Sequence, residues 1–142
     1  MAFIAAPAAS AAEIATAEDV ANSAAMCMLS ADKDGADRSR FENEAWTLSG
    51  DEYRHNSVPI AIEFPLDDDG IGRICVVRAV VGDLIEQDRI AEILNAMLKS
   101  KPLKQSDSQI WTVSTADGPR GIQFFTDKKS DQPQVRLIGA AF

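Results

Sequence analysis

Nucleophilic catalysis by a nucleophile–histidine–acid arrangement would have to be built around His55, the one histidine among 142 residues. Ser49, Ser57 or a free cysteine would be the nucleophile, and Asp51 and Glu52 are the nearby carboxylates. No nucleophile-elbow pattern accompanies them, and the polar neighbours of His55 suit an exposed, chemically idle imidazole. Zinc needs three or four His, Cys or carboxylate ligands, which one histidine and two distant cysteines do not supply. Acidic runs at Asp32-Asp34-Asp37 and at Asp67-Asp68-Asp69-Gly70 could interest a hard cation. The first places Gly35 too early for a calcium loop, and with Gly70 of the second at loop position six, position twelve falls on Val76 where a Glu belongs. Both read as solvated acidic turns, and no metal is expected. Gly70-Ile71-Gly72 lacks the third glycine and the following helix of a dinucleotide fingerprint, and no Walker loop is present, so no cofactor is expected.

Cys27 and Cys75 are the only cysteines and form no CxxC pair. In an exported domain such a pair is expected as a disulfide; two buried thiols are the alternative. Among the aromatics, Trp46, Trp111 and Phe125 are candidates for a binding surface, since aromatic side chains are enriched at recognition hot spots. Phe124 and Phe125 are adjacent in a strand-like run and must point to opposite faces. One therefore lies away from any helix layer and is covered by the chain itself or by a partner.

These residues need elements to hold them. Val20, Ala24, Cys27 and Met28 share one helical face between about Thr16 and Leu29, with Thr16 as cap. A weak strand is expected at Ala45–Leu48 and a loop at Ser49–Asn56. Ile60–Phe64 and Ile74–Val81 read as a hairpin with an acidic tip. Asp83 and Glu86 have capping-box spacing ahead of an Ile90, Ile93, Leu94, Met97, Leu98 stripe, closed by Pro102. Gln109–Ser114, Gly121–Thr126 and Gln134–Ile138 form a meander. The expected class is α+β: an antiparallel sheet with two amphipathic helices on one face, in the order α-(β)-β-β-α-β-β-β. This order is similar to that of roadblock-like and secretion-chaperone-like modules, without a shared motif, and transfers no functional residue.

The formal charge of −8, from 22 acidic and 14 basic side chains, makes nucleic acid and anionic membranes poor partners. The imbalance is local. Residues 13–57 hold ten acids and four bases, whereas the longer remainder holds twelve and ten. No apolar run reaches the length of a transmembrane helix. Residues 1–12, MAFIAAPAASAA, carry no charge and include an Ala-x-Ala site, which reads as the remnant of a signal peptide or as a flexible tail. Residues 13–142 are expected to form one domain. The function expected is that of a small exported, periplasmic or secreted, non-catalytic binding module, its partner a protein or a second copy. A hydrolase using His55 with nearby carboxylates and a cytoplasmic acidic chaperone are the alternatives.

Overall fold

The computed structural model describes residues 13–127 and 134–142; the leader lies outside the described residues. Helix α1 spans Ala17–Ser30, and a 3-10 turn at Ser39–Phe41 leads to strands β1 (Trp46–Ser49), β2 (Glu52–His55), β3 (Ile60–Glu63) and β4 (Cys75–Val80). Helix α2 spans Leu84–Leu98 and is followed by β5 (Leu103–Lys104), β6 (Ser108–Thr115), β7 (Gly118–Asp127) and β8 (Gln134–Ala141). All eight strands join one antiparallel sheet in the order β1-β2-β3-β4-β8-β7-β6-β5. The class is α+β, weighted towards strand.

Two elements go beyond the sequence reading. The stretch expected as a loop, Ser49–Asn56, contains β2. It pairs with β1 around Gly50, whose φ of +65° supplies the left-handed turn residue. Tyr53 is the single buried residue of β2, so alternation gave no signal. The two-residue β5 is equally short of pattern.

Both helices cover the same face, as strand register shows. Cys75, Gly139, Ile122 and Trp111 are successive cross-strand partners on β4, β8, β7 and β6, so their Cα–Cβ directions share one face. Cys75 is disulfide-bonded to Cys27 of α1, with the two Cα atoms 5.2 Å apart. Trp111, fully buried, donates its indole N–H to Asn95 Oδ1 of α2 at 2.8 Å. The core between helices and sheet is built from Val20, Cys27, Ile62, Val77, Ile90 and Leu137 with their neighbours.

Helix ends are satisfied locally and across the layer. Thr16 Oγ1 accepts from the Asp19 N–H, and Asp83 Oδ1 accepts from the Glu86 N–H. Glu86 does not close the expected capping box. Its carboxylate instead accepts from the Ala17 N–H at 2.9 Å, capping the first turn of the other helix. Arg89 of α2 adds an ion pair to Glu18 of α1 at 2.8 Å. Lys99 ends α2 in the left-handed region, φ +51°.

The Trp111–Asn95 bond is a polar tie between α2 and β6. Asn95→Ala leaves a fully buried indole N–H without an acceptor and is expected to lower unfolding free energy by about 1–3 kcal/mol, measured by urea denaturation. Asn95→Asp, which keeps an acceptor, should recover part of that loss.

Candidate functional site

Because the helices occupy one face, the opposite face of the sheet is, among the described residues, left to its own side chains. Register places Arg54 (β2), Ala61 (β3), Arg78 (β4), Arg136 (β8), Phe125 (β7) and Ser108 (β6) in a single crosswise row on that open face. The adjacent row runs Glu52, Glu63, Val76, Ile138, Gln123 and Ile110. A chain with eight excess negative charges therefore gathers three arginines in line on its uncovered face.

The two rows are electrostatically linked at one end. Glu52 receives Arg54 Nε at 2.5 Å and Arg78 at 2.8 Å, and Arg78 also bridges to Glu63. The Arg54 hydrogen bond is the largest influence holding the Glu52 carboxyl below the usual range. At the other end the Arg136 guanidinium carbon lies 4.6 Å from the centroid of the half-buried Phe125 ring, a cation–π contact. Two hollows open along this row. One, of about 430 Å³, includes Arg54, Pro59, Ala61, Arg78 and Gln134 in its lining. The other, of about 410 Å³, includes Arg78, Asp107, Phe125, Gln134 and Arg136. Arg78 and Gln134 are common to both, so the hollows are neighbours along one groove.

Of the three aromatics expected to form a binding surface, the structure puts Phe125 alone in this groove. Trp111 faces the helices and is a core residue, because its register partner Ile122 belongs to the helix-covered row. Trp46 also lies on the helix side. It packs edge-on against Phe41 at 5.1 Å and His55 at 4.8 Å, and is 9% exposed. The arginines were not among the sequence candidates. Their signal was faint: Arg78 is the one charged residue inside the otherwise apolar β4.

His55 is not brought to a carboxylate by strand geometry. It and Glu52 are three residues apart on β2 and so point to opposite faces. Glu52 is engaged by two arginines. His55 Nδ1 accepts from the Ser57 backbone N–H at 3.0 Å, which leaves Nε2 as the protonated nitrogen of the neutral ring. The acidic turns are similarly committed. Asp67 and Asp69 grip Arg73 at 2.7 and 2.5 Å, and Asp37 Oδ1 accepts from the Ser39 N–H. Among the described residues, no three His, Cys, Asp or Glu side chains converge as a metal site. No helix among them is long and apolar enough to cross a membrane.

Several of these carboxylates carry a pH signature. Arg89 lowers the pKa of Glu18, Arg54 that of Glu52, and Arg73 that of Asp69. A carboxylate with a depressed folded pKa contributes stability above its unfolded pKa of about 4 and loses it as pH falls through the folded value. Thermal denaturation should therefore show a flat stability profile near neutrality and a decline that steepens below about pH 4. Added salt should shrink the neutral-pH contribution of these exposed pairs.

In comparisons with models of protein families, with curated proteins and with solved structures, none matches this chain.

Proposed function

We propose that this chain acts as a small exported module, periplasmic or secreted, that binds a partner or ligand through the open face of its sheet without catalysing a reaction. The observation that carries the reading is the division of the sheet into two unlike faces. One is sealed by two helices, with the Cys27–Cys75 bond buried in the seal. The other presents the Arg54–Arg78–Arg136–Phe125 row along a groove. Disulfides persist in oxidising compartments, which favours export over a cytoplasmic chaperone role. A groove of charged and aromatic side chains with no paired nucleophile and base favours binding over hydrolysis at His55.

Compartment is tested by acid-trapping thiols in the native host and mapping the Cys27 and Cys75 peptides. Export predicts a linked pair; two alkylated thiols would overturn it. Binding is tested by adding concentrated host envelope extract to the ¹⁵N-labelled chain. The reading predicts amide shifts clustered at Arg78, Phe125 and Arg136, and an unchanged spectrum counts against it.

A further inference from the structure

The crosswise row sets two like charges against each other. Arg78 and Arg136 are direct cross-strand partners, so their side chains leave the same face from Cβ atoms about 5 Å apart, an arrangement that is unfavourable for like charges. Arg78 is balanced by Glu52 and Glu63. Arg136 has different company. It sits over the Phe125 ring, and among the described residues no carboxylate lies within ion-pair reach of it.

A guanidinium seated over a ring by a cation–π contact still has its N–H donors to offer, and their planar fork matches two oxygens of a carboxylate or phosphate. The hollow of about 410 Å³ on which Arg136 opens adds the second guanidinium, Arg78, and the Gln134 amide as a donor. Such a volume suits a small organic molecule. Asp107, also in the lining, disfavours an extended polyanion.

We infer that the Arg136 end of the groove is a subsite for a compact oxyanion, a carboxylate or a phosphate group carried on a small ligand. The anion lies against Arg136, the guanidinium without a carboxylate partner among the described residues, with Arg78 beside it and Phe125 as the apolar floor. This rests on the open face being the binding face, and it names the ligand chemistry that face takes.

The test follows the arginine Nε–Hε resonances of the ¹⁵N-labelled chain while sodium benzoate, and separately inorganic phosphate, is titrated against sodium chloride at constant ionic strength. Saturable shifts are expected at Arg136, Arg78 and the Phe125 amide, with dissociation constants on the order of millimolar, as suits one charged subsite. The two titrations separate a carboxylate from a phosphate preference. Arg136→Gln should weaken binding at least tenfold while keeping amide dispersion, Arg136→Lys should restore part of it, and Arg40→Gln, outside the groove, should change nothing. Linear, unsaturable drift with both anions, or saturable binding that survives Arg136→Gln, overturns the inference. If host extract shifts the open face but neither anion does, the subsite alone fails; if neither extract nor anion acts there, the binding reading fails with it.

Discussion

Replacing Cys27 and Cys75 together with alanine is expected to lower the unfolding free energy by about 4 kcal/mol, from the entropy of the unfolded loop the bond no longer closes. The two residues are 48 apart in sequence and join the C-terminal half of α1 to β4, near the middle of the sheet. For a chain of this length, with unfolding entropy of about 2 cal/mol/K per residue, that is a fall in Tm of roughly 10–15 °C. Urea denaturation of wild type and variant, with and without reductant, measures it. Reductant should move the wild-type midpoint close to that of the double variant and leave the variant unchanged. The bond is fully buried, so reduction of the native state should be slow and should accelerate in urea. A double variant as stable as wild type would mean that noncovalent packing alone fixes α1 on the sheet.

The second large effect is expected at Gly139. It is the β8 partner of Cys75 and sits directly beneath the Cys27–Met28 stretch of α1. A Cβ added there would lie 2.7 Å from the Met28 backbone nitrogen and 2.8 Å from the Cys27 carbonyl carbon. Both are helix backbone atoms, so the crowding cannot be relieved by a rotamer change. Gly139→Ala should cost about 3 kcal/mol, the upper part of the range for overpacking, and Gly139→Val more. The helix lies this close to the sheet where the disulfide holds it, so the two effects should couple. In the Cys27→Ala/Cys75→Ala background α1 is free to lift, and Gly139→Ala should cost at least about 1 kcal/mol less than in wild type. Strict additivity would mean that the disulfide does not set the helix–sheet spacing.

How much of this was legible in the sequence varied with the range of the interaction. Helix α2 declares itself by a local stripe, Ile90, Ile93, Leu94, and by the Asp83 cap. The β3–β4 hairpin declares itself by alternation and an acidic turn. The pairing of Cys27 with Cys75 is what two cysteines would form in an exported domain, with two buried thiols as the alternative, and the structure contains the bond. Strand β2 was illegible because Glu52-Tyr53-Arg54-His55 offers one buried side chain; what makes it a strand is its pairing on both sides with β1 and β3. Trp111 was misplaced for a related reason. Its strand carries apolar residues on both faces, Ile110 on one and Trp111 and Val113 on the other, so alternation does not say which face meets the helices. The open-face row is the clearest case of information absent from any local window. Arg54, Arg78 and Arg136 are brought into line by the registers of β2 with β3, β3 with β4 and β4 with β8. The last of these joins segments more than fifty residues apart.

The acidic first third takes on a definite place as well. Residues 13–57 supply α1, the Phe41 turn and the β1–β2 hairpin, which extends the sheet at one edge and adds no layer over the open face. Phe41 instead joins Trp46, Tyr53 and Phe64 in an aromatic cluster. Two acids of the open face, Glu52 and Glu63, neutralise Arg78 and leave Arg136 as the end of the row held by its contact with Phe125. The acidic segment and the arginine row therefore meet at Glu52, which belongs to the first and pairs with Arg54 and Arg78 of the second.

We propose that the open sheet face is occupied in the native setting. The most direct measurement is arginine footprinting with phenylglyoxal, comparing the purified protein with the same protein in freshly prepared host envelope and reading each arginine by mass spectrometry. Arg136 and Arg78 should be modified several-fold more slowly in the envelope, while Arg40 and Arg89, outside the groove, keep the same rate in both. Equal rates at all four arginines would contradict the account.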